Sequence, residues 1–294
     1  MELTFGLLAL AVIALWFPPV VMGKLRVKLW LPLLIAAVLA GLFYGFLLSG
    51  ILWLILLAML TPAARKLSLD HWQEHAHLCW AGIVILMTAV MFHKLPGFNN
   101  PLVLDKVQIS ATAIPYSRYL NFDKTALGLL VLALTHPLAS GIADWRRLLT
   151  LSTRFFLGSA LVLMTACLLV GYVSFEPKWS PYLPLWMATN LLSVCLVEEA
   201  LFRGLLQRKL CRVLGGYHRA GVISIVVSAL LFGLFHISGG WTYVALASIA
   251  GLFYGGVYHR TGRIEAAMLV HFATNLFHFL LFTYPANASA FTTP

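Results

Sequence analysis

The sequence predicts an all-α protein, a polytopic membrane helical bundle of about 8–10 transmembrane helices. Three observations carry that expectation. Of the 294 residues, 61% are hydrophobic and 10% charged, where soluble domains carry roughly 25% charged residues. Long apolar runs separated by short polar joints fill nearly the whole chain. The 20 Lys and Arg outnumber the 10 Asp and Glu and gather in the joints, as a membrane topology signal does.

The candidate spans follow in order. Residues 3–22 come after Met1-Glu2 with no basic segment before them, so they read as a retained span rather than a cleaved signal. The apolar run from Leu29 to Leu60 is either one long tilted helix or a hairpin turning at Ser49-Gly50, with spans 31–48 and 51–60. A span needs ~20 residues, so length favours neither option. Charge decides. With the hairpin, one side holds Lys24, Arg26, Lys28, Arg65, Lys66, Arg146, Arg147, Arg154, Arg208, Lys209, Arg212, Arg219, Arg260 and Arg263. The other side keeps only Lys94, Lys106, Arg118, Lys124 and Lys178. The positive-inside rule therefore favours ten spans with both termini outside, eight or nine being the alternatives. The later spans are 78–92, 125–142, 155–173, 183–207, 220–236, 241–258 and 264–283.

Residues 1–182 thus form N-terminal transmembrane helices with an external loop near 93–124, residues 183–283 a helical core, and residues 284–294 a short tail. The Pro, Gly and Asn content of 93–124 predicts an ordered loop that either gates a site or merely connects. The net charge of +10 does not indicate nucleic acid, because the basic residues are spread rather than clustered on one face. Cys79, Cys167, Cys195 and Cys211 lie in or beside apolar runs and outline neither a metal pair nor a disulfide framework. The expected partners are membrane lipid and a membrane-associated peptide or protein. Short loops without organellar targeting signals point to a prokaryotic plasma (inner) membrane.

Chemistry concentrates in Glu198-Glu199-Ala200-Leu201-Phe202-Arg203, inside an apolar run. A charge at the bilayer centre costs at least ~2.5–3.5 kcal/mol, and no other span is expected to carry one in its interior. Glu199 and Arg203 stand i,i+4 and share a helix face. Glu198 is rotated ~100° away, free to face a cavity. Burial raises the proton affinity of a carboxylate, which suits one such group to general-base work near neutral pH. A buried ion network that only locks helices together is the bland alternative.

Phe232 and His236 are i,i+4 near the end of the next helix, and His271 and Asn275 are i,i+4 on another. His278 continues that stripe and reads as an interhelical hydrogen-bonding group. His259 reads as solvated in a basic joint. The turn at 214–218 makes the Glu-bearing helix and the His236 helix antiparallel, so a rise of ~1.5 Å per residue brings Glu198 and His236 to one depth. A glutamate can activate water against an amide carbonyl, with His and Asn donors worth roughly 3–4 kcal/mol each at the developing oxyanion. Alternatively Glu198, His236 and His271 could hold Zn²⁺. The residues alone leave both open. His71-Trp72-Gln73-Glu74-His75 matches an inverted zinc-peptidase pattern, but a short joint beside His77 suits an interfacial amphipathic turn better. Gly251-x-x-x-Gly255 with Gly256 fits close helix packing within the monomer rather than a dimer face.

Glu198-Glu199-x-x-x-Arg203, Phe232-x-x-x-His236 and His271-x-x-x-Asn275, in that order, resemble the CPBP family. These are CAAX prenyl endopeptidases of the membrane and the related Abi-like bacteriocin-processing and self-immunity proteins. The resemblance covers 183–283 and implies a glutamate-dependent intramembrane protease acting on a membrane-associated or lipidated polypeptide. It implies Glu198 as the water-activating base, with His236 positioning the water. It implies His271 and Asn275 as the oxyanion site, Glu199 and Arg203 as support, and no metal. The rival reading is a non-catalytic scaffold or self-immunity protein of the same fold. A transporter or proton relay is less favoured, because the acidic pair is single and local.

Overall fold

The structure, a computed structural model, describes residues 1–69 and 73–291. His71 and Trp72 therefore lie outside the described residues, while Glu74, His75 and His77 are exposed at the start of a helix. Ten helices are present among the described residues, one for each expected span. They are α1 (Glu2–Ile13), α2 (Trp30–Phe43), α3 (Ile51–Leu69), α4 (Gln73–Met91), α5 (Phe122–Thr135) and α6 (Gly141–Leu169). The rest are α7 (Leu183–Val213), α8 (Ala220–Leu234), α9 (Gly240–Thr261) and α10 (Ile264–Leu281). Six of them, α3, α4, α6, α7, α9 and α10, are long and apolar enough to cross a membrane, and α1, α2 and α8 are shorter apolar helices.

The boundaries differ from expectation for local reasons. Helix α1 ends well before residue 22, because Pro18-Pro19 forces extended backbone at Phe17, and a small hairpin of β1 (Val20–Met22) and β2 (Leu25–Val27) follows. Pro137 likewise holds His136 extended and ends α5 at Thr135. Helix α6 begins at Gly141 rather than 155, so the supposed joint with Arg146, Arg147 and Arg154 is its own first half. The Leu29–Leu60 run is two helices, broken at 44–50. Carboxylates are also buried beyond the Glu198-Glu199 pair: Asp123 and Glu265, in the first turns of α5 and α10, are 2% and 3% exposed.

The chain divides into two compact units. The first comprises Met1–Pro101, Leu120–Ser140 and Leu192–Gly204. Here α1 packs on α2, α3 on α4, and α5 contacts α1, α3, α4 and the Leu196–Glu199 turn of α7. Helix α5 is buried almost all round, as a central helix must be. The 44–50 break is pinned by Leu48 and Gly50, whose N–H groups both donate to the Gly97 carbonyl, at 2.8 and 3.2 Å. Asp123 accepts from His93 Nδ1 and Asn100 Nδ2, both at 2.9 Å, which ties the start of α5 to the loop after α4.

The second unit comprises Leu102–Tyr119, Gly141–Leu191 and Leu205–Pro294. Its core joins α8 to α9 and packs α6 against α9 and α10. The expected external loop contains an antiparallel hairpin, β3 (Leu102–Val107) and β4 (Tyr116–Tyr119). Leu104 and Tyr116 of that hairpin form a buried cluster with Leu183 and Trp186 of α7 and Phe279 of α10. The hairpin is thus a packed part of this unit.

Candidate active site

Helix α7 is the most interior of the six long apolar helices: 67% of its apolar window is buried, against 22% for α3. It is not uniformly α-helical. Two π-helical stretches, Leu191–Cys195 and Ala200–Gln207, flank the single α-turn Leu196–Glu199 that carries both carboxylates. Wide turns of this kind are rare and are frequent at functional sites. In the first unit α5 holds this turn from behind. Gly128 lets the backbone of Val197 approach so closely that an added Cβ would stand 3.2 Å from Val197 Cα. Thr125 Oγ1 and Ser193 Oγ share a hydrogen bond of 2.9 Å one turn before it.

Glu199 and Arg203 are wholly buried and pair as their spacing predicts, Arg203 Nη1 donating to Glu199 Oε1 at 3.1 Å. The guanidinium carbon also lies 5.9 Å from the centre of the Phe202 ring. Burying two opposite charges is tolerable only when they meet in this way. Glu198, next to this pair on the same turn, is 8% exposed.

The second unit brings the remaining motif residues together. His236 Nδ1–H donates to the Phe232 carbonyl at 2.8 Å. A carbonyl only accepts, so in the neutral imidazole the lone pair sits on Nε2. The His236 ring is 4.8 Å from Phe232, whose ring is in turn 5.8 Å from His271. Tyr254 of α9 stacks on His271 at 4.5 Å and 15°, fixing the plane of that buried ring. One turn on, Asn275 Nδ2 donates to Asn190 Oδ1 at 3.3 Å. An amide NH₂ has two protons, so Asn275 keeps one for another acceptor.

Sequence reasoning missed Asn190. Its signal was a single Asn in an apolar span, eight residues before Glu198. It also missed Gln207, 1% exposed, whose Nε2 donates to the Gly255 carbonyl at 2.9 Å. Gly255 leaves room for that side chain, since a Cβ there would stand 2.8 Å from Gln207 Oε1. Gly251 packs on Ala229 of α8, a contact within the chain. His278, expected to bond between helices, instead has its Nε2 3.0 Å from the Thr283 carbonyl just past the end of its own helix. Among the described residues no three His, Cys, Asp or Glu side chains are grouped as a metal site would require.

The first unit thus holds two adjacent carboxylates on one turn, Glu199 being bonded to Arg203; the second holds an imidazole tied to a carbonyl through Nδ1, a stacked imidazole and an oriented amide. The family model described as type II CAAX prenyl endopeptidase Rce1-like matches residues 179–277. That stretch contains Asn190, Glu198, Glu199, Arg203, His236, His271 and Asn275. No curated protein and no solved structure matches the chain.

Proposed function

With residues 179–277 being an Rce1-like domain of the CAAX-type protease kind in a multi-pass membrane protein, we propose that the chain is an intramembrane endopeptidase in which Glu198 activates water. The observation that carries this reading is the division of labour between the two carboxylates. Glu199 is the wholly buried carboxylate bonded to Arg203, and Glu198, on the same turn, is the one that keeps some exposure, 8% against 0%. Glu198 takes a proton from water as the oxygen attacks the scissile carbonyl, and the same carboxyl delivers that proton to the departing amine. His236 accepts a hydrogen bond from the water through Nε2, the nitrogen that its Phe232 bond leaves unprotonated. His271 and Asn275 donate to the oxyanion, Asn275 through its second N–H. Glu199 and Arg203 support the shape of the turn. The reading requires no metal; Glu198, His236 and His271 are the residues that would hold Zn²⁺ in the alternative. The substrate is a membrane-associated or lipidated polypeptide, and the setting is a prokaryotic plasma membrane.

The test reconstitutes wild type, Glu198→Gln and Glu198→Ala in lipid with membrane-anchored and prenylated peptides, with and without chelator, read by mass spectrometry. Cleavage that survives chelation and is lost in both variants is the expected result. Cleavage abolished by chelator would assign the work to a metal. Well-folded wild type that cleaves no peptide would favour the scaffold or self-immunity role.

A further inference from the structure

The hairpin between α1 and α2 sorts its residues onto two faces. Strands β1 and β2 pair Val20 with Val27, Val21 with Arg26 and Met22 with Leu25. Residues paired across an antiparallel ladder share a face, and neighbours along a strand alternate. One face is therefore Val20, Met22, Leu25 and Val27, wholly apolar, and the other carries Val21 and Arg26. Gly23, at φ +62°, permits the two-residue turn, whose second residue is Lys24, and Lys28 follows just past β2. Val20, Met22 and Leu25 are 41%, 66% and 68% exposed, so the apolar face is left open.

Charge and length indicate what lies against it. No Asp or Glu stands between Glu2 and Asp70 in the sequence. No carboxylate pairs with Lys24, Arg26 or Lys28 among the described residues. Helices α1 and α2 are 12 and 14 residues long. At ~1.5 Å per residue they cover ~18–21 Å of a hydrocarbon core ~30 Å thick. A helix that starts at the far surface therefore ends about 9–12 Å short of the near one, which draws the hairpin down to the acyl boundary. The free edges of a two-stranded ribbon set the opposite limit, because their unpaired N–H and C=O groups need water. Between these limits lies the interface, where an amphipathic element seats its apolar face about 5–10 Å into the leaflet.

We infer that the β1–β2 hairpin is an interfacial anchor for anionic phospholipid. Val20, Met22, Leu25 and Val27 lie against acyl chains, and Lys24, Arg26 and Lys28 meet headgroup phosphates. It is the leaflet, rather than another protein, that brings both acyl chains and dense negative charge to that depth. The hairpin lies outside the 179–277 match, and its role does not depend on the protease reading.

The test photolabels full-length wild type in bilayers of phosphatidylcholine and phosphatidylglycerol. A diazirine high on the acyl chain is carried by a trace of one lipid or the other. Labelled peptides are mapped by mass spectrometry, with exposed Leu31 and Ile35 of α2 as the control for lipid contact. Residues 20–27 are expected to take label from both probes, about 5-fold more from phosphatidylglycerol, and the excess should shrink in high salt. Arg26→Gln combined with Lys28→Gln brings the ratio close to one while Met22 and Leu25 stay labelled. Equal labelling by the two probes in wild type overturns the selection of anionic lipid, whether or not the double variant folds. A ratio that the double substitution leaves unchanged overturns the part given to Arg26 and Lys28. An unlabelled hairpin beside a labelled Leu31 overturns the anchor altogether; chemical crosslinks joining the hairpins of two molecules would then assign the face to a second copy of the chain.

Discussion

Replacing Arg203 by Met tests how the two-carboxylate turn is held. Both partners of the Glu199–Arg203 pair are 0% exposed and meet at 3.1 Å, so neither water nor salt screens them. Met fills much of the Arg stem's volume, and the main loss is the charge. Glu199 is left buried without its counter-ion at a cost of about 3–5 kcal/mol. At ~2–4 °C per kcal/mol for chains of roughly this size, the melting temperature falls by about 6–20 °C. Glu199→Leu in the same background removes the stranded charge, and the double variant should return to within about 1–2 kcal/mol of wild type, because apolar replacement of a whole buried pair is often neutral. The assay is thermal unfolding in detergent, followed by tryptophan fluorescence and by size exclusion. The coupling between the two sites is the quantity read. An Arg203→Met loss under about 1 kcal/mol, or a double variant as unstable as the sum of the two singles, would refute the argument.

Other expectations follow from the same geometry. Gly233→Ala should destabilise by about 1–3 kcal/mol in detergent melts, because its Cβ would stand 2.6 Å from the Val244 carbonyl oxygen as well as against Ser248. Gly221→Ala should cost less, since its neighbour is the movable ring of His259. Asn190→Leu removes the acceptor that orients Asn275 and should lower kcat by about 10-fold or more with KM little changed, measured on the peptide that wild type cleaves. Outside the spans, burial pushes the phenol of Tyr172 up to about 12. The folded state therefore keeps that proton above pH 10 while the unfolded chain loses it. The stability it contributes is full below about pH 10 and is lost as pH rises through about 12. Tyr172→Phe should flatten the alkaline limb of a stability-versus-pH curve.

The helices were legible because apolar runs of this length admit few other readings. What was misjudged at the ends came from competing local chemistry. Pro18-Pro19 and Pro137 cut α1 and α5 short where hydropathy alone ran on. Arg146, Arg147 and Arg154 looked like a joint because charge was read as exit from the membrane, yet helix geometry is indifferent to where water begins. In the candidate site, i,i+4 spacing gave the Glu199–Arg203 bond and the Phe232–His236 contact directly. The bond from Asn190 to Asn275 joins residues 85 apart, and no local pattern announces it. The π-helical stretches were also silent, since an i→i+5 turn leaves no residue signature comparable to a proline or a glycine. The β3–β4 hairpin was masked by its surroundings: its strands are short, irregular in register, and embedded in turn-forming residues.

That hairpin also sets the order of events while the protein is made. Tyr284 N–H donates to Ser110 Oγ, 174 residues earlier in the chain, and Leu104 and Tyr116 pack on Phe279. At about 5–20 residues per second, the hairpin waits roughly 10–35 s for its partners to emerge. Leu183 and Trp186 of α7 follow within the first half of that interval, and Phe279 of α10 only at its end. Helix α10 completes the cluster, so closure of this unit waits on a segment made long after the hairpin itself.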